Sequence, residues 1–402
     1  METEFSKVND EAGHKVKNPL RVLHLNSLLM GGGTDDRSVK VAHALSQMGC
    51  GVWLAGPAGR EFSDVARGLG IPFHHVSLGP LKLPLIVQTA QFIRRERVQI
   101  IHARHGRDYW PAILAAKLSA TGAKVVLSRH LAKSPGSLFS RRLLLGRCDA
   151  MLACSEFVRR ILVEGVFEPS AVNPERRKRP PMFGDHKKIR VVYGGIDVER
   201  FKPADGLAQR AEWGLTETDY AFGVAGGYTL PRGKGQREFL AAAARMAPQF
   251  PNGRFLIIGR GNLKETLLAD IERLGLRGRA WLTPYSRDMP SAMNALDCLV
   301  HPQVGTESWG SVVCEAHACG KPVLASRLDG IPEAFDAGAY GELIEPDSVD
   351  VLEAAMRRWA LRPPLAGAER AALHTRVGSR FSLEQAAKNL FGVYESLFNQ
   401  DA

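Results

Sequence analysis

The chain has 402 residues, 45% of them hydrophobic and 24% charged, with a formal net charge of +11 and a pI near 9.5. That length and composition call for two or three globular domains, and no apolar run approaches the roughly 18 residues of a membrane helix. A basic surface attracts anions, whether phosphorylated substrates, acidic lipid headgroups or nucleic acid.

The first residues, "METEFSKVNDEAGHKVKNPL", are polar and mixed in charge, without the apolar core of a signal peptide, so 1–19 is expected to be a disordered lead-in. Apolar runs then recur at 21–26, 50–56, 72–78, 98–104, 124–130 and 149–155, and again at 220–227, 254–259, 280–284, 297–302, 322–326 and 341–346. Continuous apolar runs separated by helical stretches predict parallel strands covered on both faces. Twelve are too many for one ordinary open sheet, so two doubly wound α/β domains are predicted. "EPSAVNPERRKRPPMFGDHKK", within a basic loop over 168–189, is rich in proline and charge and marks the approach to the join. "IRVVYGGIDVERFKPAD" carries the chain across, and Ser382 caps a final helical stretch, 382–398. The predicted domains are 20–203 and 204–380, with 381–402 crossing back to the first. The six cysteines (Cys50, Cys148, Cys154, Cys298, Cys314, Cys319) form no CxxC pair, which predicts buried thiols in a reducing cytoplasm.

Ligands of open α/β sheets bind beyond the carboxyl ends of the strands, so the loops there and the cleft between the domains hold the candidates. "HLNSLLMGGGTDD" follows the first strand. Gly31, Gly32 and Gly33 let the backbone approach a ligand ahead of a helix beginning "RSVKVAHALSQM", although a permissive turn reads the same way. "GGYTLPRGKGQREF" holds the equivalent place in the second domain. Arg232 and Lys234 there suit a diphosphate, the alternative being a solvated basic loop. In "GTESWGSVVCEAHACGKPVLAS", Glu307 and Glu315 lie eight residues apart, and Ser308 to Gly310 are predicted to start a helix that Gly320 ends. Glu315 sits among small apolar residues and needs partners: either the hydroxyl pair of a ribose or a buried structural ion pair.

The stretches "RFLIIGRGNLKETLLADIERLGLRGRAWLTP" and "MPSAMNALDCLVHPQVGTESWGSVVCEAHACGKPVLASRLDGIPEAF" resemble the GT4-type retaining glycosyltransferases of GT-B fold, as does "VVYGGIDVERFKP". The resemblance covers most of 20–400 and is most specific from 190 to 345. It implies that Glu315 holds the nucleotide ribose, Glu307 contacts the transferred sugar, and Lys234 with Arg232 neutralises the diphosphate. The Gly31–Gly33 loop would close from the other domain, and His130, ending "KVVLSRH", would sit near the sugar. Ser308, Trp309, Gly310, Ser311 and Val312 would offer backbone N–H groups to phosphate or sugar. Three features depart from the pattern: the usual Asn of "NGID" is Gly194 or Gly195, the usual Arg after the second domain's first strand is missing from "AGGYTL", leaving Arg232 as its substitute, and the first loop carries Asp35 and Asp36 where many relatives have a different acidic spacing.

The implied reaction moves a sugar from a nucleotide-diphosphate donor to a glycan or lipid-linked acceptor, with retention, in bacterial surface glycan or lipopolysaccharide core assembly. No metal or other cofactor is expected, because "TDD" is read as part of the glycine loop. The basic segments "SPGSLFSRRLLLGRCD" and "NPERRKRPP" suit contact with the inner face of the cell membrane, or equally an ordinary helix and a solvated loop. Competing readings are a GT-B nucleotide-sugar epimerase or hydrolase, a catalytically silent relative, and a nucleic-acid-binding protein. The last is disfavoured by scattered basic residues and the lack of an RNA-binding motif.

Overall fold

The computed structural model describes residues 19–28, 33–59, 61–79, 82–165, 180–229, 233–284, 286, 288–335 and 340–399. Each predicted apolar run forms a strand. The first sheet contains β1 (Arg21–Leu25), β2 (Gly51–Gly56), β3 (Phe73–His75), β4 (Ile100–Ala103), β5 (Lys124–Arg129), β6 (Ala150–Ala153) and β7 (Ile189–Val191), in the order β3-β2-β1-β4-β5-β6-β7. The second contains β8 (Tyr220–Ala225), β9 (Gly253–Ile258), β10 (Ala280–Leu282), β11 (Cys298–His301), β12 (Val323–Ser326) and β13 (Gly341–Ile344), in the order β10-β9-β8-β11-β12-β13.

All strand pairs are parallel, with registers such as Val22↔Ile100 and Leu299↔Val323. Their branched side chains fill both faces. Leu23, Ile101 and Leu127 pack on one side of the first sheet, and Val22, Ile100 and Val126 on the other. The second sheet divides likewise between Leu256 and Leu299 on one face and Phe255 and Val300 on the other. β7 is a strand that the apolar-run reading missed. It is three residues long, and its centre is Arg190.

The chain crosses between the sheets through Tyr193, Gly194 and Gly195 and returns at the end of the long helix Gly367–Phe381. The two crossings are stitched together: the Ile196 N–H donates to Phe381 O at 2.7 Å, and the Leu383 N–H donates to Ile196 O at 3.0 Å. Helix Leu383–Ser396, whose Ser382 Oγ accepts from the Gln385 N–H, then packs Ala387, Leu390 and Tyr394 against Val39 and Ala42 of helix Gly33–Gln47. All six cysteines are buried, and burial pushes the Cys50 thiol up to about 11 and Cys154 to about 12. No helix among the described residues is long and apolar enough to cross a membrane.

In both sheets the strand order reverses beside the first strand, between β1 and β4 and between β8 and β11. Loops leaving those carboxyl ends diverge and leave a crevice. The loops after β4, β5, β8 and β11 carry Arg104, His130, Lys234 and Glu307, and the two crevices face each other across the chain crossing.

Candidate active site

A cavity of about 280 Å³ lies between the two sheets. The N-terminal domain contributes Arg37, Arg104, Ser128 and His130, the crossing contributes Tyr193 to Gly195, and the C-terminal domain contributes Lys234 and Thr306 to Ser311.

Lys234 precedes helix Gln236–Met246, and its backbone N–H donates to Gln236 Oε1 at 2.6 Å, fixing the turn. Its Nζ lies 2.5 Å from Glu307 Oε2. Burial raises the Glu307 carboxyl, but Lys234 and then His301 more than offset this, so it lies below the ordinary carboxylate range. The loop that carries it is anchored by the Glu307 N–H donating to Asp329 Oδ2 at 3.2 Å and by the Gly330 N–H donating to Glu307 O.

The helix expected from Ser308 begins later, at Ser311. Gly310 takes φ = 89°, a conformation that interrupts a right-handed helix and suits glycine. Ser308 instead spends its carbonyl across the cleft, accepting from Ser155 Oγ at 2.6 Å. The Trp309 ring is buried beside Tyr193 and Phe381.

Neither Val312 nor Glu315, which is half-buried on helix Ser311–Ala318, is among the cavity's lining residues. Burial pushes the Glu315 carboxyl up to about 7. Arg37 then pulls it down, Asp36 raises it, and Lys40 and Lys234 act as smaller pulls downward. Its side chain makes no hydrogen bond or ion pair among the described residues, so the buried-ion-pair alternative is not met.

His130 lines the cavity, and its Nε2 is buried without a partner among the described residues. Burial, followed by the charges of Arg104, His105 and Arg37, holds its proton affinity well below the ordinary imidazole value, so the ring is neutral. Gly33 opens helix Gly33–Gln47 and is not part of the loop before it. "TDD" therefore occupies the first helical turn, where acidic residues favour the macrodipole. Asp35 Oδ1 is taken by Asn26 at 2.9 Å and by His105 at 2.8 Å, and Asp36 by Lys40 at 3.1 Å. Gly31, Gly32, Arg232 and the basic stretch 166–179 lie outside the described residues.

Sequence reasoning missed Arg37 and Arg104. Arg104 directly follows β4, so the rule that ligands gather at strand carboxyl ends would have found it. Arg37 lies one helical turn beyond Gly33, with no motif to announce it.

Two doubly wound sheets facing a cleft that is cationic on both walls narrow the family choice, and comparison decides it. The "Glycosyl transferases group 1" family matches residues 208–372, and "Glycosyltransferase Family 4" matches 31–174. The chain belongs to the GT4-type glycosyltransferases of GT-B fold. Among its relatives, a D-inositol 3-phosphate glycosyltransferase of Segniliparus rotundus is 32% identical over 53% of this chain and 48% of its own length. A second, from Corynebacterium jeikeium, is 32% identical over 52% of each. The chain thus spans about half the length of these two relatives. A GDP-mannose-dependent monoacylated alpha-(1-6)-phosphatidylinositol monomannoside mannosyltransferase of Corynebacterium glutamicum is 27% identical over 79% of this chain and 81% of its own.

Solved structures agree on the GT-B architecture. A glycosyltransferase from Rickettsia africae superposes with a TM-score of 0.79, over 95% of this chain and 99% of its own, at 19% identity. Anabaena HepE in complex with UDP and glucose gives 0.76, over 94% and 100%, at 20% identity. In this GT4 glycosyltransferase, then, the cleft between the two sheets is where the family's chemistry is to be sought.

Proposed function

We propose that this glycosyltransferase moves a sugar from a nucleoside-diphosphate donor to a glycan or lipid-linked acceptor with retention of configuration, in the assembly of bacterial surface glycans such as the lipopolysaccharide core. The observation that carries the reading is Lys234, paired with Glu307 and lining the same cavity as Gly310 and Ser311 at the amino end of helix Ser311–Ala318. A cation next to unpaired helical N–H groups suits the charge that grows on a leaving diphosphate.

In the reaction the anomeric C–O bond to the diphosphate breaks, and its electron pair stays on the phosphate oxygen. The acceptor hydroxyl oxygen bonds to the anomeric carbon on the same face and passes its proton to the departing phosphate. Lys234, and Arg232 beside it in sequence, stabilise the leaving group. One preorganised donor of this kind is worth roughly 3–4 kcal/mol of barrier. Glu307 accepts from sugar hydroxyls, and Glu315, raised but without a side-chain partner among the described residues, accepts from the ribose. Neutral His130 presents its ring nitrogen to the sugar side of the cavity. Backbone N–H groups over Ser308–Val312 complete the donor site, and the Gly31–Gly33 stretch is assigned to close over the diphosphate and sugar. Donor hydrolysis is limited as the walls approach each other and exclude water.

The mannosyl and inositol phosphate chemistry named for the relatives is consistent with a phosphorylated or lipid-borne acceptor met at the inner face of the cell membrane. The exposed face of helix Leu138–Leu143, with Leu138, Phe139 and Arg142, would serve there.

Calorimetric titration with UDP, GDP and ADP, then with the matching sugar nucleotides, tests the reading. One base should bind preferentially, and NMR of the product should show the donor's anomeric configuration kept. Failure of all three nucleotides to bind, or an inverted product, would overturn it. Full-rate sugar release without acceptor would favour the hydrolase reading.

A further inference from the structure

The N-terminal wall of the cleft carries more positive charge than the donor chemistry uses. Arg37 and Arg104 both line the cavity. Arg104 is 7% exposed, and among the described residues its side chain has a single hydrogen bond, Nε donating to Ser38 Oγ at 3.0 Å. Arg37 has no side-chain hydrogen bond or ion pair among the described residues. Of the nearby carboxylates, Asp35 is held by Asn26 and His105, Asp36 by Lys40 and Glu307 by Lys234, while Glu315 feels Arg37 more than any other charge without forming an ion pair with it. Burial lowers the proton affinity of Arg104, Tyr394 and Asp35 partly restore it, and Arg37 is close enough to lower it again by repulsion. A guanidinium lining a cavity, with N–H groups that have no protein partner among the described residues, is suited to an anion.

We propose that Arg37 and Arg104 form a second anion site, on the wall opposite Lys234, that holds a phosphate monoester of the acceptor. The inference deepens the proposed function and rests on it. Two cations without an ion-pair partner among the described residues match a dianion, which a phosphate monoester is near neutral pH and a carboxylate or phosphodiester is not. Guanidinium forks also bind phosphate oxygens in pairs, giving orientation as well as charge. Neutral His130 lies beside Arg104, so the acceptor phosphate would be held next to the place where the sugar is transferred. The site would select acceptors by their phosphate and fix which hydroxyl faces the anomeric carbon.

The test is calorimetric titration of inorganic phosphate into the full chain, alone and saturated with whichever of UDP, GDP or ADP binds. Wild type should bind one phosphate in both conditions. Arg104→Gln and Arg37→Gln should each weaken it by about tenfold or more, while Arg104→Gln keeps nucleotide affinity within about twofold. No phosphate binding to either form of the wild type, or unchanged binding in both variants, would overturn the proposal. So would loss of nucleotide affinity in Arg104→Gln with phosphate binding intact, because the arginine would then belong to the donor diphosphate. If no nucleotide binds, the proposed function has failed, yet titration of the unliganded chain still reads the arginine pair. Should Arg104→Gln fail to fold, Arg37→Gln, which removes no hydrogen bond, decides the matter. Glucose 6-phosphate, against phosphatidic acid in phosphatidylcholine vesicles, then separates a soluble acceptor from a lipid-borne one. Binding that depends on the arginines in either supports the proposal, and such binding in neither overturns it.

Discussion

Lys234 Nζ and Glu307 Oε2 are 2.5 Å apart, so the ammonium assigned to the diphosphate and the carboxylate assigned to the sugar are each other's partner. Both are partly buried, with side-chain exposures of 34% and 17%. In the proposed reaction the pair would hold the two groups a few ångströms apart, and Lys234 favours the ionised form of Glu307 despite its burial.

Lys234→Ala therefore has two separable effects. It removes a charge-assisted contact to the diphosphate, so nucleoside-diphosphate affinity should fall about tenfold to a hundredfold. It also strands Glu307, which should cost about 1 kcal/mol of stability after allowance for solvent screening. The double variant Lys234→Ala/Glu307→Gln should recover the stability and not the affinity. Calorimetry and denaturant melts read the two separately. Equal recovery of both would mean that the lysine acts only through Glu307.

A second tie spans the cleft at Glu333. Its Oε2 accepts from the Glu156 N–H at 2.6 Å and Tyr193 Oη at 2.9 Å, and its Oε1 accepts from the Phe157 N–H at 2.7 Å. A carboxylate of the C-terminal domain thus meets the first N–H groups of helix Glu156–Glu164 in the N-terminal domain, where the macrodipole favours it. Glu333→Gln should lower stability by about 1–2 kcal/mol. It should also widen the solution ensemble, seen as a larger radius of gyration by X-ray scattering. An unchanged scattering profile would show that packing at Trp309 and Ser155 holds the domains without it.

The strands were legible because continuous branched-apolar runs have few other solutions in a chain of this length. β7 was not, since three residues centred on an arginine give no periodicity. Glu307, Lys234 and His130 were legible from motif and strand-end position. The late start of helix Ser311–Ala318 was not, because Gly310 reads as a helix-tolerated residue until its φ is known. Arg37 and Arg104 stayed hidden for a different reason. An arginine becomes notable only when it proves to line a cavity without an ion-pair partner, and that is a tertiary fact.

The glycines of the crossing carry a packing requirement. A Cβ at Gly195 would come within 2.8 Å of Leu383 Cα and 3.2 Å of Ala386 Cβ. Gly195→Ala should push helix Leu383–Ser396 from its seat and cost about 1–3 kcal/mol. Thermal melts check the cost, and hydrogen exchange should show faster exchange localised to 383–396. A wild-type melt would mean the helix shifts without loss of packing.

With Glu315 on the ribose, as proposed, nucleotide binding becomes a proton-linked event. The Glu315 carboxyl is raised from 4.5 to about 7 by burial, with Arg37 the largest opposing influence. A folded value above the unfolded one means that the native state binds the extra proton between those limits. The resulting stability is fully present below about 4.5 and is lost as pH rises through 7. Glu315→Gln, which stays neutral, should thus be more stable than wild type at pH 8 by about 2 kcal/mol, a gap that closes at low pH. A ribose donating two hydroxyls needs the ionised form, so nucleotide binding at pH 7 should release on the order of half a proton. Titrations in buffers of differing ionisation enthalpy measure that release directly. Wild-type affinity should weaken below pH 7 while Glu315→Gln, weaker throughout, stays flat. Binding without proton release, or a variant with wild-type affinity, would remove the ribose from Glu315.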